Sequence, residues 1–425
     1  MDYYGDIVLM NSSEIINIVR RTLSKIDPRL VEHGERVGYI AKKIYDVSEN
    51  KAGFDFSKLF ILCVLHDIGA YKTNEIDDMV RFETEGTLEH AIYGYLFLRN
   101  TNHLSDHAEV LLYHHTDYTA MEDNGSLCSR YAQIIYLADR TDILLGSKTA
   151  DLSVLRTMAG RQFDAANIDA LLKAEKKYSF SEKIASGQYR DEVGEILESV
   201  DIRAGEILEY LKLLVYAIDF RSPYTVTHTA DTTIISLETG RLLGLSDQEL
   251  QTMYLGAFLH DIGKIAIPHD ILEKPGKLTT EEYEIVKEHI AEGEAILRGV
   301  VSDEICDIAL RHHEKMDGSG YPLGLTGDKL TVSQRIVAVA DILSALSQRR
   351  VYKEPFPKEK VIFILEEMKD AGQLCPKVVD TICCNYDMIM RNLESSHDPV
   401  KTMYKKHMQE YYSLRKSTST QLETL

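Results

Sequence analysis

Ten of the fifteen histidines in this 425-residue chain fall into two copies of one ordered pattern, and no other feature constrains the chain as tightly. The first copy runs His33, His66-Asp67, His90, His114-His115, Asp139, and the second runs His228, His260-Asp261, His289, His312-His313, Asp341. Successive steps are 33, 24, 24 and 24 residues in the first copy and 32, 29, 23 and 28 in the second. The surrounding text agrees: VLHDIG pairs with FLHDIG, and YLADRTDIL with AVADILSAL. An ordered set repeated at matched spacing is the mark of two related domains rather than of chance.

The local signals between these residues are helical. Ser246 to Glu249 and Thr279 to Glu282 read as capping boxes, each ahead of an apolar run. Ser222-Pro223 reads as an N-cap followed by proline at the first helical position. No long alternating pattern marks a strand. The expected fold class is all-α, with two tandem helical domains joined by a long linker helix. The expected boundaries are 1–185 for the first domain, 186–218 for the linker, 219–395 for the second domain, and 396–425 for a C-terminal helix and frayed tail. The linker rests on Val193, Leu197, Val200, Ala204, Ile207, Leu211, Leu214 and Ile218, which step by 4 and 3 alternately, as a heptad seam does. Such a helix either pairs two copies of the chain into a homodimer, carries a signal, or packs on its own domain.

Charge restricts the partners. With 67 acidic and 48 basic residues the net charge is −19, which excludes polymeric nucleic acid as the expected partner. A small anion is still admissible where metals and a few local cations offset the field. The N-terminus lacks a basic region followed by a long apolar run, and no stretch approaches the ~20 apolar residues of a membrane span. The six cysteines show no CxxC spacing. A cytoplasmic protein with reduced thiols and no membrane span is expected.

Five histidines and two aspartates in fixed order are the raw material of a metal centre. Imidazole and carboxylate suit Fe, Mn or Zn. In an adjacent His-Asp pair the imidazole binds one metal while the short carboxylate can bridge two. Two metals about 3.5–4 Å apart activate a nucleophile and stabilise charge on a phosphoryl group. A Gly320-Tyr321-Pro322 segment follows the set in the second copy only.

The second half resembles the HD-GYP family of cyclic di-GMP phosphodiesterases, within the wider HD metal-dependent phosphohydrolases. The resemblance rests on RSPYTVTH (221–228), LGAFLHDIGKIAIP (255–268), VKEHIAEGEAIL (286–297), RHHEKMDGSGYP (311–322) and RIVAVAD (335–341). It implies that His228, His260, Asp261, His289, His312, His313 and Asp341 hold two divalent metals, with Asp261 bridging. Iron or manganese is foremost, with zinc, nickel or magnesium compatible. It further implies that Lys264 holds substrate phosphate, that Gly320, Tyr321 and Pro322 line the site, and that Arg350 and Lys353 grip the dinucleotide. Asp261 and Lys264 are the expected catalytic residues, and cyclic di-GMP would be hydrolysed to linear pGpG or GMP by metal-activated hydroxide. The leaving oxygen needs a proton, from metal-bound water or from Asp317.

Three departures from the family stand out. Tyr224 stands where some members carry a glutamate for a third metal, Ser222 where aspartate is usual, and Ser344 three residues after Asp341 where aspartate is usual. The first half is similar to a plain HD domain. Its ligand set His33, His66, Asp67, His90, His114, His115 and Asp139 is complete, and two further metals are expected there. Ala70 replaces the lysine, however, and HHTDYTAMEDNG replaces the GYP text. It is read as a regulatory metal domain, a packing copy, or an independent hydrolase. For the whole chain the alternatives to cyclic di-GMP hydrolysis are cyclic GMP-AMP hydrolysis and a non-catalytic dinucleotide receptor. A di-iron sensor in the first half is a third class.

Overall fold

The computed structural model describes residues 10–51, 53–72, 88–99, 104–121, 125–147, 151–200, 202, 204–219, 227–272, 274–347, 355–394 and 410. Helices and isolated bridges make up the regular structure of these residues, with no strand among them, so the fold is all-α. In chain order the first helices are α1 (Ser12–Ile26), α2 (Pro28–Val47), α3 (Phe56–Leu65), α4 (Leu88–Arg99), α5 (Ala108–Tyr113) and α6 (Leu127–Leu145). They are followed by α7 (Ala165–Tyr178), α8 (Phe180–Ser186), α9 (Tyr189–Ser199) and α10 (Ala204–Asp219). The second repeat is carried by α11 (His228–Leu242), α12 (Asp247–Leu259), α13 (His269–Leu272), α14 (Thr280–Leu297), α15 (Asp303–Leu310) and α16 (Val332–Ser347). Helices α17 (Lys358–Asp370) and α18 (Pro376–Cys384) close the described part of that domain. Short 3-10 turns at Ile68–Lys72 and Ile262–Ala266 follow the two His-Asp pairs. None of the described helices is long and apolar enough to cross a membrane.

The chain divides into two compact units, residues 26–213 with 407–425, and residues 1–25 with 214–406. Helix α1 therefore groups with the second repeat, although its sequence position suggested the first domain. The reason is visible in its contacts. Ile15, Ile18 and Leu23 are buried. The Arg21 guanidinium donates to the carbonyls of Ile296 and Arg298 at 3.2 and 2.8 Å, and Lys25 pairs with Glu292 at 2.6 Å. The last carbonyls of a helix lack intrahelical partners, and a cation there is favourable; Arg21 fills that role for α14.

Among the described residues the segment 186–218, expected as one linker helix, is carried by two helices. Helix α9 stops at Ser199, Val200 is extended at φ −71°, ψ 118°, and α10 begins at Ala204. The Val200 amide turns back to the Ile196 and Leu197 carbonyls, and the Ser199 hydroxyl donates to Ile196 O at 2.7 Å. These bonds close α9 locally. A 3–4 spacing of apolar side chains continues across the break, which is why the sequence read as one seam.

Both sequence-predicted capping boxes are present, Ser246 with Glu249 and Thr279 with Glu282, and they set the starts of α12 and α14. Helix α11 is unusual because it is buried yet rich in hydroxyls. Thr233, Ser236 and Thr239 donate to the carbonyls four residues earlier, each at 2.7 Å. Those internal bonds satisfy polar groups that burial would otherwise leave unpaired. Ser222 and Tyr224 lie outside the described residues.

Candidate metal centres

In each unit the repeat converges. Helix α12 ends at Leu259, so His260 and Asp261 sit at its C-terminal turn, and α3 ends in the same way before His66 and Asp67. Gly263 explains why glycine follows. A Cβ there would lie 1.9 Å from the His289 carbonyl oxygen, and one at Gly69 would lie 1.9 Å from His90 O. The HD-x-G turn thus lays its backbone directly on the helix that carries the next histidine.

In the second unit, His228, His260 and Asp261 bring ligand atoms within 4.8 Å of one another, and so do His289, His312 and His313. Asp261 faces both groups. Its Oδ2 is 3.6 and 3.2 Å from the Nε2 atoms of His228 and His260, while Oδ1 is 3.7 and 3.9 Å from those of His289 and His312. Asp341 spans the far side, with Oδ1 3.0 Å from His228 Nε2 and Oδ2 3.8 Å from His313 Nδ1. Two carboxylates, each divided between two imidazole groups, form a frame for a pair of cations.

The tautomers are fixed by the backbone. His260, His289 and His312 hydrogen-bond through Nδ1 to the carbonyls of Ala257, Val286 and Ala309 at 2.7, 2.5 and 2.7 Å. A carbonyl only accepts, so Nδ1 carries the proton and Nε2 presents its lone pair inward. His260 Nε2 and Asp261 Oδ1 are buried without a hydrogen-bond partner, as are His66 Nε2 and Asp67 Oδ1. Leaving such groups unsatisfied costs about 1–3 kcal/mol each. A cation bound between them fits this donor set, so both clusters are sites that can hold metal.

Burial and charge act in opposite directions here. Burial pushes His313 down to about 4 and His312 well below the usual imidazole value. His260 is raised, because Asp261 and Asp341 outweigh its burial. The surrounding imidazoles and Lys264 hold Asp261 well below the usual carboxylate range against its own burial. Lys264 Nζ donates to Asp261 Oδ2, which places an ammonium at the edge of the frame.

The first unit repeats this frame. Asp67 Oδ2 is 3.9 and 3.2 Å from His33 and His66 Nε2, and Oδ1 is 3.6 and 3.8 Å from His90 and His114 Nε2. Asp139 spans His33 Nε2 at 3.2 Å and His115 Nδ1 at 3.7 Å. All seven first-half residues named from sequence therefore meet. Behind them the two sites differ. His33 Nδ1 contacts the Asp142 carboxylate at 2.7 Å, whereas His228 Nδ1 contacts the Ser344 hydroxyl at 2.9 Å. Burial lowers His33, but Asp139 and Asp142 overcome it and raise its pKa to about 10. Ala70 is buried where Lys264 would stand, and Arg140 donates through two nitrogens to Asp139 Oδ2 at 3.0 and 2.8 Å. A cavity of about 620 Å³ opens onto His33 and Asp67, with Arg29 and Arg36 in its wall.

Gly320 and Tyr321 sit against the second site. A Cβ on Gly320 would lie 2.5 Å from Glu314 Cα, and Tyr321 N donates to His313 O at 3.2 Å. The Tyr321 ring lies 4.7 Å from that of His313. Pro322 follows through a cis peptide bond. The loop is fastened by Glu314, a buried carboxylate accepting from the amides of Leu323 and Leu325 at 2.7 and 2.8 Å. Sequence reasoning missed Glu314, Asp142 and Arg140. The first follows the His pair directly, and the others follow Asp139 by three residues and one. Asp317 is exposed and accepts from the Ser319 amide and hydroxyl, which lowers its pKa. That makes it a poor proton donor. Arg350 and Lys353 lie outside the described residues. Of the neighbouring basic residues, Lys358 is engaged with Asp387 at 2.7 Å, as on a solvated face.

Residues 30–144 and residues 212–378 each match a family described as the HD domain. The chain is a tandem HD-domain protein. The Gly320-Tyr321-Pro322 text places its second HD domain in the HD-GYP branch. A 3′3′-cGAMP-specific phosphodiesterase 1 of Vibrio cholerae is 28% identical over 88% of this chain and 92% of its own length. A cyclic di-GMP phosphodiesterase of Thermotoga maritima is 41% identical over 41% of this chain and 47% of its own. The solved structure of a cyclic GMP-AMP-specific phosphodiesterase of V. cholerae aligns with a TM-score of 0.52 at 20% identity. That alignment covers 89% of this chain and 98% of the other, and it shows a shared fold.

Proposed function

We propose that the chain is a metal-dependent phosphodiesterase that opens a cyclic dinucleotide at the second HD domain. The observation that carries this reading is the seven-residue frame with Lys264 on its edge. There, inward-facing Nε2 atoms and an orphaned carboxylate oxygen stand beside a cation that can meet phosphate. His228, His260, Asp261, His289, His312, His313 and Asp341 would hold two divalent metals, iron or manganese first. When bound, such metals supply a nucleophile at neutral pH and neutralise charge on phosphoryl oxygens. The chain's own residues do the rest. Asp261 and Asp341 fix the separation of the imidazole groups, and Lys264 adds a charge-assisted contact to phosphate. Burial keeps His312 and His313 neutral, as ligands must be. Arg350 and Lys353 would hold the second phosphate.

Between the two substrates named for its relatives, the match along nearly the whole Vibrio cGAMP-specific enzyme favours cyclic GMP-AMP, with cyclic di-GMP alongside it. The first domain is proposed to bind metal and to regulate the second. The direct test is to load the full chain with Mn²⁺ or Fe²⁺, count the metal, and follow both dinucleotides by chromatography. Linear dinucleotide should appear. A fully loaded protein that binds either compound without cleaving it would instead be a receptor.

A further inference from the structure

The rim of the second site is aromatic, and its outer part belongs to α14 rather than to the GYP loop. From the ligand cluster outward, the His313 ring lies against Tyr321, and the Lys287 ammonium sits 5.4 Å above the Tyr321 ring and 5.1 Å above that of Tyr283. Tyr283 and Lys287 are four residues apart on α14, so they share one face. Tyr283 is 45% exposed, which is unusual for a large ring beside a buried cluster. The other contact of Lys287 is Glu284 at 2.7 Å, a pair whose acid is 60% exposed. Exposed pairs of this kind hold a side chain weakly, so the ammonium can be released to a ligand. Tyr321 is held differently: Gly320 presses on the Glu314 backbone and Tyr321 N is bonded to His313 O, so the ring is fixed relative to the metal ligands.

We propose that Tyr283, Tyr321 and Lys287 form a subsite for a guanine base, which stacks on the tyrosines while Lys287 donates to its O6/N7 edge. The inference rests on the reading of this site as one for a cyclic dinucleotide. Stacking on an aromatic ring tolerates any base, because every base has a π-face. The ammonium does not. Lysine offers donors and no acceptor. Guanine presents two acceptors on that edge, whereas adenine sets an amino donor beside its N7. The subsite therefore requires one guanine. Cyclic di-GMP and cyclic GMP-AMP both supply it, and cyclic di-AMP does not.

The test uses the metal-loaded full chain and compares kcat and KM for cyclic di-GMP, cyclic GMP-AMP and cyclic di-AMP. The parent should prefer cyclic di-GMP over cyclic di-AMP by about tenfold or more in kcat/KM. Lys287→Met should reduce that preference by about tenfold, through KM, and Lys287→Arg, which keeps the donors, should retain it. Tyr283→Ala should raise KM for all three by about tenfold without altering the preference. Equal handling of cyclic di-AMP by the parent, or an unchanged preference in Lys287→Met, overturns the proposal. Cleavage of bis(p-nitrophenyl) phosphate with no cleavage of any dinucleotide defeats the reading beneath it, which is a separable result.

Discussion

The two histidine–aspartate frames take their side chains from equivalent helices in the same order, yet the charges behind them are arranged differently. In the second HD domain the extra cation is Lys264, placed on the shared carboxylate Asp261 and 24% exposed. In the first, that place is the buried Ala70, and the cation is Arg140, 6% exposed and bound through two nitrogens to Asp139. A flexible ammonium at the edge can leave its carboxylate for a phosphate. A buried guanidinium engaged by two bonds has nowhere better to go. The same seven side-chain types are thus backed by a partly exposed ammonium in one domain and by a buried, doubly bonded guanidinium in the other.

The most severe way to probe that contrast is to remove the shared carboxylate in each frame. Asp261→Ala should empty the second site of metal and lower dinucleotide turnover by about a thousandfold or more, the scale of losing one preorganised charge-stabilising group. Asp67→Ala should empty the first site while measurable turnover continues. Metal counting and product chromatography on both variants check this. Turnover that survives Asp261→Ala and vanishes with Asp67→Ala would reverse the roles of the two domains.

A smaller effect separates the supports of the first histidine in each frame. Asp142 holds His33 with a carboxylate that Arg36 also engages at 2.6 Å, while Ser344 holds His228 with a neutral hydroxyl. Loss of a ligand's supporting partner weakens metal affinity by roughly 10–100-fold. Asp142→Ala should fall in that range, scored by chelator competition in an Asp261→Ala background so that only the first site contributes. Ser344→Ala removes one neutral hydrogen bond, about 0.5–1.5 kcal/mol, so about a tenfold loss at most in an Asp67→Ala background. Equal losses would mean that the charge of Asp142 is irrelevant to the site.

The convergence of these side chains was legible in the sequence because helix positions set it. His-Asp pairs at helix ends and histidines on the facing helices keep their order whatever the loops do. The supporting residues were harder to see. Asp142 stands three residues after Asp139, as Ser344 does after Asp341, yet only the serine drew attention because it departed from a family pattern. Glu314 carries no motif of its own, and its importance comes from two backbone amides that fold back onto it. The linker failed for a different reason. Heptad spacing counts side chains, but the helix ends at Val200 through backbone bonds that no side-chain count records.

Glu314 also sharpens the comparison, because Thr116 follows the His pair in the first domain. Glu314→Gln keeps the shape but replaces two charge-assisted acceptors with one neutral oxygen. Each hydrogen bond to a charged group contributes about 1.5–3 kcal/mol. KM for the dinucleotide should rise by about tenfold, since the loop bearing Tyr321 loosens, while the metal content stays as in the parent. Lost metal with unchanged KM would instead make Glu314 a support of His313 and not of the loop.

The smallest expected effect asks whether the first frame speaks to the second. His66 is buried, its Nδ1 bonded to Cys63 O at 2.6 Å, and its Nε2 faces the first cluster, 3.2 Å from Asp67 Oδ2 and without a hydrogen-bond partner. His66→Ala therefore removes one inward ligand and should empty that cluster. If the first domain is regulatory, metal loss there shifts kcat/KM at the second site by about fivefold, the low end of ordinary coupling energies. A control must separate signal from damage. His107 is buried in the same domain and lies outside the ligand set, so His107→Ala perturbs packing without touching the metal. Regulation predicts altered second-site kinetics for His66→Ala and parent-like kinetics for His107→Ala. Altered kinetics in both would point to packing alone. Parent-like kinetics in a His66→Ala protein shown to lack the first metals would leave the first frame as a structural centre or one with a substrate of its own, and the 620 Å³ cavity at His33 would be the place to look for it.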